Sequence, residues 1–177
     1  MPATVATIRG LDDFEGVTLH GPDAVDRHAA ELRGARVGLL GDPVIIARLV
    51  APLAAVAGRL KVFQDAPVWV LPRTPLGPLR GTVRSALDLA PRGIRRRAAA
   101  VIANRHRGRG VPDGWTRRQL TPRRPPTRRS IVYSNSYYRT LRLQHVELIT
   151  WPVAGVVREG VRTADGLEHH VDVVVLV

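Results

Sequence analysis

The residues with the most chemical potential stand where an apolar run breaks: Val37-Gly38-Leu39-Leu40-Gly41-Asp42-Pro43-Val44-Ile45-Ile46. A buried strand that turns through glycine into a helix can hold a dinucleotide, because the first helical N–H groups point at the pyrophosphate. That chemistry asks for G-x-G-x-x-G, for a tight turn, close backbone approach and close helix–strand packing. Only the first glycine is present, as Gly41; Pro43 takes the second place and Ile46 the third. Proline has no N–H to offer the pyrophosphate, and Ile46 puts a β-branched side chain where the helix should press close. Losing two or three hydrogen bonds to a charged group, at about 1.5–3 kcal/mol each, weakens binding by roughly a thousandfold or more. The scaffold of a nucleotide site is legible; its contact surface is not.

Other chemistries find little support. The chain has no cysteine, which excludes disulfides, thiolate nucleophiles and cysteine-ligated metals. Of its six histidines, His169 and His170 are adjacent, and neighbours on a strand face opposite sides, which does not suit joint chelation. No metal-ligand spacing, G-x-S-x-G elbow or supported carboxylate pair is found. The net charge of +12 is almost wholly arginine, since Lys61 is the only lysine. Nucleic-acid surfaces normally use both cations, so arginine-rich codon usage explains the charge better than selection for a polyanion. Trp115 is the exception among few aromatics in the arginine-rich region, a poor basis for stacking on single strands. The start lacks a charged n-region followed by an apolar run, and the longest apolar stretch, Val44 to Ala57, is short and carries Arg48. The expectation is a cytoplasmic protein without a membrane span and without nucleic acid as partner.

The elements that must position the turn follow from pattern. At 177 residues a single unit is expected, able to bury roughly 70% of its unfolded surface. Residues 1–33 form a lead segment in which Asp23 is placed to cap a helix over Ala24–Leu32. Residues 34–72 begin a βαβ unit: strand Arg36–Gly41, helix Val44–Gly58 ended by Gly58, and strand Leu60–Gln64. Pro52 should kink or break that helix. Residues 73–129 are dense in arginine with only Asp88 and Asp113 as carboxylates, a composition that seldom packs a core alone. Helices are expected over Gly81–Ala90 and Ile94–Asn104, and Arg105–Pro126 reads as irregular and mobile. Residues 130–177 carry strands Ile131–Ser134 and Val146–Thr150, then a meander of Val153–Arg158, Val161–Thr163 and Glu168–Val177 with turns at Glu159-Gly160 and Asp165-Gly166. The fold class is α/β: a Rossmann-like parallel sheet with flanking helices, an arginine-rich helical or irregular insertion, and a C-terminal antiparallel meander.

Five segments in order carry a resemblance. Ile8-Arg9-Gly10-Leu11-Asp12-Asp13-Phe14-Glu15-Gly16 through His20 resembles I-P-G-L-x-x-F-x-G-x-x-x-H, and Phe63-Gln64-Asp65-Ala66-Pro67-Val68-Trp69-Val70-Leu71-Pro72-Arg73 resembles F-Q-R-T-P-x-W-x-L-P-R. Ser134-Asn135-Ser136-Tyr137-Tyr138, Val146-Glu147-Leu148-Ile149-Thr150 and the closing Thr163-Ala164-Asp165-Gly166 to Leu176 resemble S-N-D-Y-Y, V-E-L-V-T and T-A-D-G-T-E-x-x-V-D-V-x-V-L. These are signatures of the flavin-containing and Baeyer–Villiger monooxygenases, and the match covers most of the chain except its arginine-rich middle. The resemblance is to the NAD(P)-binding domain region, in a truncated and degenerate form.

The resemblance implies FAD and NADPH as family cofactors and insertion of one oxygen atom from O₂ into a ketone or onto a heteroatom. It also marks departures. The family's arginine and threonine that hold the 2′-phosphate of NADPH are here Asp65 and Ala66; a carboxylate repels that phosphate, although it can suit the free ribose hydroxyls of NAD. An ungapped count places Arg129 and Ser130 at the family's Lys-Arg pair, whereas a one-residue gap places Arg128 and Arg129 there. Ala24 stands where the fingerprint after Phe14, Gly16 and His20 has an aromatic residue, and His20 is expected to be structural. The residual nucleotide contacts are Gly41, Gln64 and Arg129, with no catalytic residue and no metal ligand. The family's FAD unit precedes and follows the matched region, so no bound cofactor is expected for these residues alone. The reading is a monooxygenase-like oxidoreductase derivative, non-catalytic or partial by itself. Its alternatives are a subunit of a split enzyme partnered by a separate FAD-domain chain, and an arginine-rich polyanion-binding module.

Overall fold

Short valine- and leucine-rich strands, buried on both faces, build the centre of the molecule. The structure is a computed structural model that describes residues 8–73, 91–111 and 113–177. Five parallel strands form the main sheet: β1 (Val17–His20), β2 (Arg36–Leu40), β3 (Arg59–Phe63), β6 (Val146–Ile149) and β10 (Val173–Leu176), in the order β1-β10-β2-β3-β6. Register pairs Val17 with Val173, Val173 with Val37, Arg36 with Arg59, and Leu60 with Val146. Successive residues of a strand point to opposite faces. Val37, Leu39, Leu60, Val62, Val173 and Val175 join one apolar cluster, while Leu40, Phe63, Val174 and Leu176 join another. Both faces are covered, as a parallel sheet requires.

The first face is covered by α3 (Pro43–Val56), whose Ile46, Val50 and Leu53 are fully buried. The helix passes Pro52 without a break and ends at Ala57 in an extended conformation, so Gly58 is not its left-handed cap. The expected helix over Ala24–Leu32 is two single turns, α1 (Ala24–Arg27) and α2 (Ala29–Leu32). The lead segment also contributes strand β1, which its short and mixed pattern does not announce.

The second face is covered by an antiparallel sheet of β7 (Val153–Val157), β8 (Gly160–Thr163) and β9 (Glu168–His170). Here the expectation of one terminal strand over Glu168–Val177 is corrected. The chain leaves the meander after His170, and β10 enters the parallel sheet between β1 and β2. Val171 and Asp172 make the crossing, where the Asp172 carboxylate accepts the Arg36 backbone N–H at 2.8 Å and its Nε at 3.0 Å.

A third layer corrects the expectation of an irregular, mobile 105–126. Helix α4 runs from Arg92 to Gly110 and α5 from Gly114 to Gln119; arginine is a good helix former despite its charge. Ala103 of α4 is buried against Trp69 and Leu71, with Ala99 and Ala100 alongside, so small residues let the helix approach β4 (Trp69–Leu71) and its parallel partner β5 (Ile131–Tyr133). The buried Arg107 donates to Asn104 Oδ1 at 2.9 Å and reaches the Leu120 carbonyl at 3.5 Å. Tyr137–Thr140, within the stretch matched to S-N-D-Y-Y, is a helical turn, α6, with both tyrosines buried. The expected helix over Gly81–Ala90 lies outside the described residues.

Candidate nucleotide site

The C-terminal ends of β2, β3 and β6 lie side by side, where open parallel sheets bind ligands. The turn after β2 is built from three constraints. Gly41 has φ +128°, and a Cβ there would lie 1.7 Å from the Val177 carbonyl oxygen. The same oxygen accepts the Asp42 N–H at 2.7 Å, while Val177 N–H donates to the Leu40 carbonyl at 2.9 Å. Gly41 is thus required by the close approach of Val177, the residue that follows β10.

Asp42 then caps α3. Its carboxylate accepts the N–H groups of Val44 at 2.8 Å and Ile45 at 3.1 Å, Ile46 donates to the Asp42 carbonyl at 2.8 Å, and Pro43 has no N–H. The first helical donors, which would meet a pyrophosphate, already have partners. The positive end of the helix dipole faces a negative charge from the protein itself. Ile46 is fully buried in the core beneath the turn.

At the end of β3, Gln64 is buried and both ends of its amide are occupied. Its Nε2 donates to the Ala66 carbonyl at 3.1 Å and its Oε1 accepts the Tyr137 hydroxyl at 2.8 Å. Complete burial pushes the Tyr137 hydroxyl's pKa far up, which keeps it a neutral donor. Tyr138 is likewise pushed up to about 12, chiefly by burial. Gln64 therefore ties β3 to α6. Asp65 and Ala66 beyond it are exposed.

Two hollows meet at Asp65. One, of about 360 Å³, is lined by Arg9, Gly41, Phe63, Asp65 and Trp151 among others. The other, of about 820 Å³, lies between Asp65-Ala66 and the segment carrying Arg118, Arg123 and Arg124, with Ser130 on its wall. Arg129 is exposed on the 3₁₀ turn Arg128–Ser130 that precedes β5, and the Ser130 hydroxyl accepts the Thr127 N–H at 2.9 Å. Gly41 and Asp65 thus share one hollow, Asp65 and Ser130 the other, and Gln64 lies buried in the strand end before them.

The structure also places the remaining signature residues and the other histidines. His20 ends β1 with its imidazole exposed, and its carbonyl accepts from Arg27 at 3.2 Å. Phe14 packs on the second apolar cluster. His169 meets the Thr163 hydroxyl at 3.1 Å and the Phe63 ring, whereas His170 turns to Glu159. Partial burial lowers the His169 pKa. Among the described residues no group of three histidine, cysteine or acidic side chains is placed to hold a metal ion. No helix among them is long and apolar enough to cross a membrane.

No protein-family model matches the chain. Individual proteins do. An uncharacterized monooxygenase of Mycobacterium tuberculosis is 34% identical over 97% of this chain and 39% of its own length. A Baeyer–Villiger monooxygenase of Streptomyces coelicolor is 26% identical over 97% of this chain and 37% of its own. The chain is thus similar to a region of proteins named as monooxygenases, Baeyer–Villiger types among them. Solved structures agree on the fold. Cyclohexanone monooxygenase in its rotated, cyclohexanone-bound conformation superposes with a TM-score of 0.75 at 21% identity, over 99% of this chain and 45% of that one. An oxidized steroid monooxygenase bound to NADP gives 0.72 at 21%, over 99% and 44%. The chain spans about two fifths of the length of the curated monooxygenases it matches.

Within this monooxygenase-related chain, two sets of residues escaped the sequence reading. Asp42 was signalled by Asp-Pro at a helix start, a capping residue before a first-turn proline. Arg118, Arg123 and Arg124 had no local signal, because only the packing of α5 brings them over the end of β3.

Proposed function

We propose that this chain is the nucleotide-domain portion of a flavin-dependent monooxygenase whose pyrophosphate turn has been closed by its own residues, so that it does not act alone as an NADPH-dependent catalyst. The observation that carries this reading is the Asp42 carboxylate on the N–H groups of Val44 and Ile45, beside a proline that offers none and a glycine filled by the Val177 carbonyl. Asp65 at the end of β3 adds a second carboxylate where the family's 2′-phosphate would sit. The residues present do not fit NADPH. We place the flavin outside residues 1–177, in further polypeptide or a partner chain, since relatives such as an FAD-binding monooxygenase of Aspergillus niger extend well beyond the matched region.

Calorimetric titration with NADPH and NADH tests the reading. No saturable binding is expected at micromolar concentrations, and Pro43→Gly with Ile46→Ala leaves it weak because Asp42 and Asp65 remain. Adding Asp42→Thr, Asp65→Arg and Ala66→Thr restores measurable NADPH binding. Micromolar binding by the unmodified chain refutes the closed turn.

A further inference from the structure

Helix α4 carries apolar residues on two opposite faces. Ala99, Ala100 and Ala103 seat one face on Trp69 and Leu71. At about 100° per residue, Ile94, Ala98 and Val101 fall on the other face, with Ile102 at its margin. Ile94 is 58% exposed, Val101 66% and Ile102 45%, and none of the three joins an apolar cluster of the described residues. Single exposed aliphatic residues are ordinary; three at helical spacing on an arginine-rich helix make a stripe. Arginines border it. Arg97 lies on one side, Arg109 on the other, and Arg105 continues it toward the C-terminus, all three exposed. None of these arginines forms an ion pair with a described carboxylate, and α4 itself contains no acidic residue.

Charge and side-chain type select the occupant. A second copy of the chain would bring arginine rows against arginine rows. Helices that lie in a lipid interface put tryptophan, phenylalanine or leucine into it, whereas this stripe is isoleucine, valine and alanine. A nucleic acid would set phosphates against the aliphatic stripe. The β-branched residues Ile94, Val101 and Ile102 are nearly fixed at χ1 in a helix, so little entropy is lost when another helix packs on them. Such a helix would need an aliphatic stripe of its own and carboxylates along both margins. No described helix of this chain carries more than one carboxylate.

We propose that the outer face of α4 docks an acidic amphipathic helix of another protein, its aliphatic stripe on Ile94, Val101 and Ile102 and its carboxylates on Arg97, Arg105 and Arg109. The face lies opposite the one that seats α4 on β4, away from the closed turn, and does not depend on whether NADPH binds.

The test uses the whole chain and two synthetic helical peptides of about three heptads, both with isoleucine and leucine at a and d. One has glutamate at e and g, the other lysine. By fluorescence anisotropy at low salt, the glutamate peptide is expected to saturate at about 10 μM and the lysine peptide not to bind. Val101→Gln, and separately Ile94→Gln, should each weaken the glutamate peptide by about tenfold or more, with thermal unfolding unchanged because both side chains are exposed. Arg97→Glu with Arg109→Glu should weaken it by about tenfold and admit the lysine peptide, a reversal that a merely adhesive surface does not show. The chain has no cysteine, so Val101→Cys places a single thiol on the face. It should react with a maleimide as fast as free glutathione and be slowed by the glutamate peptide; slow labelling in the free chain means that the chain covers its own stripe and overturns the proposal. Absence of saturation by the glutamate peptide below ~1 mM overturns it, as does binding indifferent to Val101→Gln. Self-association, or binding to phosphatidylcholine–phosphatidylglycerol vesicles, that Val101→Gln abolishes assigns the face to a second copy or to a lipid surface and overturns the helix as occupant.

Discussion

Replacing Gly41 with alanine tests the turn directly. The added methyl carbon would stand 1.7 Å from the Val177 oxygen and 2.7 Å from its carbonyl carbon, against ordinary contact at 3.4–4 Å. Backbone rather than a flexible side chain is in the way, so the two segments must part by roughly 2 Å. Parting them breaks the Asp42-to-Val177 and Val177-to-Leu40 hydrogen bonds, at about 1 kcal/mol each. Holding a non-glycine residue at φ +128° adds about 1–3 kcal/mol. The expected loss is about 3–5 kcal/mol, a large share of a typical domain's stability, and a fall in melting temperature on the order of 10 °C. Gly34 provides the control, because it has φ +74° but nothing within 4 Å of an added Cβ. Gly34→Ala should therefore cost the backbone term alone, about 1–2 kcal/mol. Urea unfolding followed by circular dichroism measures both; equal losses for the two variants would refute the clash at Val177 as the reason for Gly41.

Three further outcomes follow from the same geometry. Asp42→Ala removes the acceptor for two helical N–H groups and should destabilise the fold by about 1 kcal/mol in urea melts, without restoring NADPH binding, since Pro43 and Ile46 remain. Tyr137→Phe strands the buried Gln64 oxygen and should cost about 1–3 kcal/mol by thermal denaturation. The Arg36 hydrogen bond holds the Asp172 carboxyl below its ordinary range. Its modest stabilisation is thus complete above the unfolded value near pH ~3.9 and is lost as pH falls through the lower folded value. In Asp172→Asn that part of the acid dependence should vanish from stability measured across pH 2–5, roughly the window these values set.

Local pattern disclosed those parts of the fold whose partners are local. The strand through Leu39-Leu40, the helix after Asp42-Pro43 and the strand into Phe63 are adjacent in sequence and in the sheet, so apolar runs and turn residues placed them. Val173–Leu176 has the same valine-rich texture as the meander before it, and nothing within it distinguishes an antiparallel edge from a central parallel position. That choice is made by Val37 and Val17, far away in sequence. The middle misled through composition: its charge concealed Ala99, Ala100 and Ala103, which seat α4, and Arg107, which is buried as a hydrogen-bonding link. At the candidate site, Gly41 is expected as a residual nucleotide contact, and the backbone that comes close to it here is that of Val177. The amide of Gln64 likewise bonds to Tyr137 and Ala66, a role that depends on α6 and has no signature within β3.

The position of β10 has a temporal consequence. Strand β1 is paired to the main sheet through β10, so β1 waits for residues far later in the sequence before it has a place to dock. The unit of β2, α3 and β3 can assemble from near neighbours, but its Val37 edge stays open until residues 173–176 are made. Such long-range closure is slow, and an uncovered, valine-flanked edge is a template for unwanted pairing. The interval before residues 173–176 arrive is therefore when this chain is most exposed to aggregation, and a chaperone acting on it would have most effect then.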